Sequence, residues 1–397
     1  PARGGDVPVS ITTPKGFVAS GLASGIKASG ALDLALLATD DGLGVPTAAT
    51  FTANLAAAAP VQVSRDHLAA HGRRMSGVVI SSGNANAATG DRGRADAERM
   101  CALVASGLGV VAEGILVCST GLIGIPLPMT PIEAGIPQLV ATRSDSTEAA
   151  ADAAQGILTT DSGRKEVLIE HTNFAVAGMA KGAGMLAPNM ATMLAFLTTD
   201  AAIEPGPLSD LLRIAVRDSF NAMSVDGCTS TNDTVVLMAS GRAGPADPNV
   251  VVEAVTEACA DLCHQMMADA EGASRIFQVR VTGALSDGEA HQAARKVADS
   301  LLVKCSINGE DAYWGRVASD LGSAGVGFDM DLLTIAYGGV TVCRAGIAAP
   351  HDPEALALHL AAPLVDIHCQ LGLADGNGVV MGVDLGYGYI DENRTTS

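Results

Sequence analysis

Apolar residues fall along this chain in two rhythms. Between 94 and 108, Met100, Leu103, Val104 and Leu108 recur at spacings of three and four with charges opposite, which predicts an amphipathic helix. Residues 208–223 place Leu211, Leu212, Ala215 and Phe220 on one side, and 251–268 do the same with Val255, Ala258, Cys259 and Met266, so both predict helices. Residues 276–282 alternate instead: Phe277, Val279 and Val281 face one way, Gln278 and Arg280 the other, as in a strand. Residues 76–80 and 114–118 are short apolar strands. They run into the polar turns Ser81-Ser-Gly-Asn-Ala-Asn86 and Ser119-Thr-Gly121. A helix-favouring segment at 287–302, a strand pair at 333–337 and 340–343, and a short helix at 353–361 complete the pattern. Helices and strands mixed in this way predict an α/β or α+β protein. The polar turn after Gly283 is the best candidate boundary, dividing the chain into 1–283 and 284–397.

Composition narrows the function classes. A chain of 397 residues is long enough for two domains, and 48% hydrophobic content excludes a disordered one. Lys and Arg number 24 against 43 Asp and Glu, a net charge of −19 with no basic cluster, which argues against nucleic-acid binding. The most apolar stretches, such as 114–129, are broken by Gly, Pro, Ser and Thr, so no membrane span is expected. The first residues carry no apolar leader segment, and no secretory signal is expected. Eight thinly spread cysteines suit a reducing cytosol better than a disulfide scaffold.

The densest unusual stretch is Lys181-Gly-Ala-Gly-Met-Leu-Ala-Pro-Asn-Met-Ala191-Thr192-Met193-Leu194. Its bland reading is a Gly-rich loop entering a buried element. Its sharper reading is a self-cleavage site. The Thr192 hydroxyl can attack the preceding carbonyl, and the small Ala191 leaves room for the tetrahedral intermediate. Cleavage would give Thr192 a free α-amine, with a pKa of roughly 7.7–8.0. One residue would then supply both nucleophile and general base. Cys118-Ser-Thr120-Gly121 leaves a buried strand at a glycine, where backbone N–H groups and a hydroxyl can stabilise an oxyanion. The alternative is an ordinary strand-to-turn junction. Asp226-Gly-Cys-Thr-Ser-Thr-Asn-Asp233 reads by default as a surface turn, with a site-lining loop as the alternative. Glu271 follows a predicted helix at its C-terminal end, where a carboxylate opposes the dipole. Cys259, Cys263 and His264, and separately His67 and His71, lack the further ligands of a metal site. No nucleotide-binding glycine fingerprint is present.

The 181–194 stretch resembles the signature of the ornithine acetyltransferase family, the bifunctional glutamate N-acetyltransferases. Further motifs fall in the family's order: Ala23-Ser-Gly-Ile-Lys27, Phe51-Thr-Ala-Asn54, Gly83-Asn-Ala-Asn-Ala87, Cys118-Ser-Thr-Gly-Leu-Ile-Gly124, Thr159-Thr-Asp161, Ser230-Thr-Asn-Asp233, Asp269-Ala-Glu-Gly272, Trp314-Gly-Arg316 and the tail near Asn393. The resemblance covers essentially the whole chain and favours the sharper readings above. It implies a large self-processing α/β body of the ornithine acetyltransferase and DmpA-like type, with a smaller C-terminal α/β domain. It implies cleavage between Ala191 and Thr192, giving an α chain 1–191 and a β chain 192–397. Thr192 matches the nucleophile, and Thr120 and Gly121 the oxyanion hole. Thr159, Lys181, Thr192, Glu271, Asn393 and the C-terminal Ser397 match substrate-contacting positions.

The implied reaction is ping-pong: N-acetylornithine acetylates the threonine, ornithine leaves, and glutamate takes the acetyl group. The resemblance implies small amino-acid substrates, no metal or organic cofactor, acetyl-CoA as an alternative donor in some members, a cytoplasmic location, and an α2β2 or higher assembly. The sequence departs from the pattern at Asp311-Ala-Tyr-Trp-Gly-Arg316, in a shorter tail after Asn393, and in lacking a cysteine near Ala88. The rival readings are a related acyltransferase of specialised metabolism with another amino-acid acceptor, an N-terminal-threonine amidohydrolase or aminopeptidase, and an uncleaved binding protein.

Overall fold

The computed structural model describes residues 9–185 and 193–394. From the N-terminus, β1 (Phe17–Leu22), β2 (Leu34–Thr39) and β3 (Val45–Phe51) lead to α1 (Ala59–Ala70), β4 (Arg74–Met75), β5 (Gly77–Asn84) and α2 (Gly90–Leu108). Then come β6 (Ile115–Leu122), α3 (Met129–Ala141), α4 (Thr147–Gly156), β7 (Lys165–Glu170) and β8 (Ala175–Lys181). After position 193 follow β9 (Leu194–Ala202), α5 (Pro205–Arg217), β10 (Met223–Ser224), β11 (Thr234–Pro245) and α6 (Pro248–Ala268). The remainder is β12 (Ile276–Ala284), α7 (Asp287–Ala298), α8 (Leu301–Asn308), α9 (Trp314–Gly322), β13 (Thr334–Tyr337), β14 (Val340–Arg344), β15 (Ile347–Ala348), α10 (Pro353–Leu360), β16 (Leu364–Gln370), β17 (Gly376–Val383) and α11 (Tyr387–Glu392).

Among the described residues the strands form three sheets, ordered β1-β2-β5-β6, β4-β3-β11-β9-β8-β7 and β10-β17-β12-β16-β13-β14-β15. The two-residue period of the strands stacks the first two sheets face to face. Leu37, Val78, Ile80, Leu116 and Cys118 of one sheet share a core with Met179, Leu194, Phe196, Val236 and Met238 of the other. The alternate residues face outward onto helices. Leu36, Val79 and Val117 pack with Met100, Val104, Ile136 and Leu139 of α2 and α3. Ala195, Leu197, Val235 and Leu237 pack with Leu208, Leu212, Val255 and Leu262 of α5 and α6. The result is a four-layer helix–sheet–sheet–helix body. The third sheet has its own core, in which Phe277, Val279 and Val281 meet Ala290, Val297, Val303 and Leu321. No helix among the described residues is long and apolar enough to cross a membrane.

Two expectations shift. The helix expected over 208–223 ends at Arg217 and gives way to a short 3-10 turn over Phe220–Ala222. Ser219 leaves helical geometry at φ −125°, ψ −93°, and its hydroxyl donates back to the Ala215 carbonyl at 2.5 Å. The segment expected as one helix over 287–302 is two, because Ser300 caps the second by accepting from the Val303 amide. The expected division after Gly283 falls at the end of β12. That strand pairs with β16 and β17 inside the third sheet, which β10 also joins through β17.

Candidate active site

The site lies where strand ends from both stacked sheets converge. The parallel pair β5 and β6 sets Ser82 opposite Thr120 and Gly83 opposite Gly121. Thr120 is buried, and Gly121 is exposed at φ +130°. A Cβ on Gly121 would lie 2.3 Å from the Gly83 carbonyl carbon and 2.5 Å from the Asn84 nitrogen. Only glycine permits that approach at that dihedral. The following loop is clamped: Asn84 donates to the Ile125 carbonyl at 3.0 Å, Ala85 N–H to Leu122 at 2.9 Å, and Gly124 N–H to Ala87 at 2.9 Å. Thr120 and the Gly121 backbone are thus presented on a rigid edge, as an oxyanion site requires.

From the other sheet, β8 ends at Lys181, paired in register with Leu194, which is paired in turn with Thr234. The Lys181 ammonium is buried and donates to the Thr159 hydroxyl at 2.7 Å. Asp161 lies 3.7 Å from the same nitrogen. One Asp161 oxygen accepts from Lys165 at 2.7 Å and from Gly182 N–H at 2.6 Å, and the other from Thr159 N–H at 3.1 Å. Lys165 also pairs with Asp269. Burial opposes ionisation of Asp161, but Lys181, Lys165 and these hydrogen bonds override it and hold the carboxyl at about 2. Burial lowers Lys181 from the usual lysine range, and Asp161 is the largest influence opposing that fall.

The loop beyond Lys181 carries the remaining expected positions together. Glu271 N–H donates to Ala183 at 2.9 Å, and the Glu271 carboxylate sits where a side chain on Gly184 would be, 2.3 Å from an ideal Cβ. Asn393 donates to the same carboxylate at 2.9 Å. A cleft of about 520 Å³ opens beside it, lined by Thr160, Ser162, Asp269, Glu271 and Glu392. Its lining is acidic and suits a cationic side chain. Thr159, Lys181, Glu271 and Asn393 are therefore linked through one short loop, with Thr120 and Gly121 on the neighbouring sheet. Ala191, Thr192 and Ser397 lie outside the described residues.

Two groups of functional interest were hidden in the sequence. The 226–233 run reads by default as a surface turn, yet Ser230, Asn232 and Asp233 are buried. Asn232 joins the sheets by donating to Ala85 at 2.6 Å and Ser119 at 2.8 Å. Asp233 accepts from the Met193 amide at 2.9 Å, and Thr234 N–H binds the Met193 carbonyl at 3.1 Å, so the chain is pinned immediately after position 192. Burial drives the Asp233 carboxyl well above the usual range, against the Met193 amide, Thr52 and Lys181. Its second oxygen has no hydrogen-bond partner among the described residues. The other group is the Asp161–Lys165–Asp269 cluster, of which sequence reading singled out only the Thr159-Thr-Asp161 and Asp269-Ala-Glu-Gly272 motifs. Cys259 and Cys263 lie buried in α6, where burial pushes both thiols up. Among the described residues no group of three or more His, Cys, Asp or Glu is arranged to hold a metal ion.

A four-layer α/β body carrying a buried lysine at the end of β8 and an acidic cleft beside Glu271 is the frame of an enzyme acting on small polar molecules. Residues 18–395 match the ArgJ family model. The arginine biosynthesis bifunctional protein of Mycolicibacterium paratuberculosis is 43% identical over 395 residues, covering 98% of this chain and 96% of that protein. Its counterpart in Thermobifida fusca is 41% identical over 390 residues, covering 98% of this chain and all of that protein. A solved ornithine acetyltransferase from Mycobacterium tuberculosis, complexed with ornithine, is 42% identical and covers 45% of this chain and 95% of that one, with a TM-score of 0.44. The chain belongs to the ArgJ family of arginine biosynthesis, whose reaction moves an acetyl group from N-acetylornithine to glutamate.

Proposed function

We propose that Thr192 carries the acetyl group in this reaction, after the chain cleaves itself between Ala191 and Thr192. The Thr192 amine takes the proton as the hydroxyl attacks the acetyl carbonyl of N-acetylornithine. Thr120 and the Gly121 backbone N–H hold the developing oxyanion. The proton passes to the leaving nitrogen and ornithine departs, leaving an ester. Glutamate's amine attacks that ester in the reverse sense, and N-acetylglutamate leaves. Lys181 and Thr159 receive the α-carboxylate, and Glu271, positioned by Asn393, receives the ammonium of the ornithine side chain. The observation that carries the reading is the linkage of Lys181, Thr159, Glu271 and Asn393 through the loop that leads toward Thr192.

The same reading includes an α chain 1–191 and a β chain 192–397, an α2β2 or higher assembly, a cytoplasmic location and a smaller C-terminal α/β domain. It uses no metal or organic cofactor, with acetyl-CoA as an alternative donor and Ser397 as a further substrate contact.

The deciding experiment supplies N-acetylornithine with and without glutamate and follows products by mass spectrometry. N-acetylglutamate should appear in step with ornithine, and ornithine release should depend on the acceptor. Equal ornithine release without glutamate would make the enzyme a hydrolase. A second expectation concerns Lys181. Both substrates bring a carboxylate to a protein of net charge −19, so a local cation must compensate. A charge-assisted hydrogen bond contributes roughly 1.5–3 kcal/mol, or about tenfold or more in binding. Lys181→Met, once shown to be cleaved, should raise the Michaelis constants of N-acetylornithine and glutamate together by that factor. Unchanged constants would place the carboxylate elsewhere.

A further inference from the structure

Lys181 is built in an unusual way for a buried cation. Among the described residues its ammonium makes one hydrogen bond, to Thr159, although a lysine has three donors. Its nearest carboxylate, Asp161, stands at 3.7 Å, inside the reach of charge attraction but beyond a hydrogen bond. Asp161 is held back because its oxygens are engaged by Lys165, Gly182 N–H and Thr159 N–H. Its side chain is fully enclosed. Lys165 is balanced in turn by Asp269, which retains 18% exposure.

We propose that Asp161, restrained by Lys165, is a positioning residue that keeps Lys181 charged through a 3.7 Å ion pair that takes none of its N–H donors, so that the ammonium remains open to the substrate carboxylate. This rests on the reading of Lys181 as the carboxylate contact. A buried lysine with no counter-charge sheds its proton. A lysine closed on its counter-charge has fewer donors left for a ligand. The 3.7 Å separation avoids both outcomes. The same carboxylate accepts from the Thr159 amide and the Gly182 amide, so one group orders both the hydrogen-bond partner of Lys181 and the residue that follows it. The charges that face Lys181 are Asp161 after α4, Lys165 on β7, Glu271 beyond α6, Asp233 at the start of β11, and Lys27 from the segment between β1 and β2.

The sign of the effect follows from removing the counter-charge. Asp161→Asn lowers the Lys181 pKa further, so the protonated form is lost as pH rises. In wild-type enzyme the Michaelis constants for both substrates should rise only where Lys181 loses its proton, apart from titration of the substrates and of the Thr192 amine. In Asp161→Asn that rise should begin at lower pH than in wild type, by up to about tenfold per pH unit once Lys181 titrates, with kcat moving less. Asp269→Asn, at the half-buried edge of the cluster, should show the same rise beginning at higher pH, and it decides the matter if Asp161→Asn fails to fold or cleave. A purely structural role would not give a pH-dependent Michaelis constant. Profiles parallel to wild type in the variants, while Lys181→Met weakens binding, would overturn the proposal for Asp161 alone. Unchanged binding in Lys181→Met would overturn the underlying reading instead.

Discussion

Thr192→Ala will purify as one uncut chain with no acetyl transfer, whereas the wild type will separate into two pieces, the second beginning at Thr192. Mass analysis and N-terminal sequencing read the difference directly. The effect is expected to be all-or-none because in the proposed mechanism the same hydroxyl serves twice, first against the Ala191 carbonyl and then against the acetyl group. In that mechanism cleavage also creates the general base. An α-amine with a pKa of roughly 7.7–8.0 is substantially unprotonated near neutral pH, whereas an internal amide has no basic nitrogen to offer. Thr192→Ser keeps both the hydroxyl and the amine, so it should cleave and retain part of the activity. An active wild-type enzyme found uncut would end this account. So would a Thr192→Ala chain that cuts itself. Asp233 bears on the same event, since it fixes the Met193 amide next to the proposed nucleophile.

Elements with strong local periodicity are readable in the sequence. The helix expected over 94–108 is the greater part of α2, and the strands expected at 76–80 and 114–118 are the first halves of β5 and β6, which continue through the expected polar turns to Asn84 and Leu122. Their ends were less readable, because Ser219 and Ser300 use side-chain hydrogen bonds that a hydrophobic pattern does not register. At the site, Thr120, Gly121 and Lys181 stood out through small residues and glycines beside apolar runs. The charge cluster was hidden for a different reason. Lys165 and Asp269 are 104 residues apart and meet only through tertiary packing. Asp233 was hidden by composition: a run of small polar residues looks solvated until Asn232 is seen joining two sheets. Local sequence therefore disclosed the groups proposed to react, and the fold disclosed those that hold them.

Removing the Thr120 hydroxyl should lower kcat by about 10²–10³-fold, the loss expected for one oxyanion donor. Binding of N-acetylornithine should change much less, because the oxyanion contact is made mainly in the transition state. Thr120 suits this test better than Gly121. An alanine at 121 would set its Cβ 2.3 Å from the Gly83 carbonyl carbon, so a loss of activity there would report a displaced strand instead of a missing donor. Thr120→Ala only removes atoms from a buried side chain on a strand held by β5. Thr120→Ser separates chemistry from packing. It restores the hydroxyl while leaving the methyl absent, so it should recover most of the lost turnover. If both variants fall equally, the methyl packing matters and the hydroxyl does not. If Thr120→Ala turns over like wild type, the oxyanion rests on backbone amides alone, with the Gly121 N–H the first to consider. The donor's role is then decided by kcat, measured on cleaved enzyme at saturating N-acetylornithine.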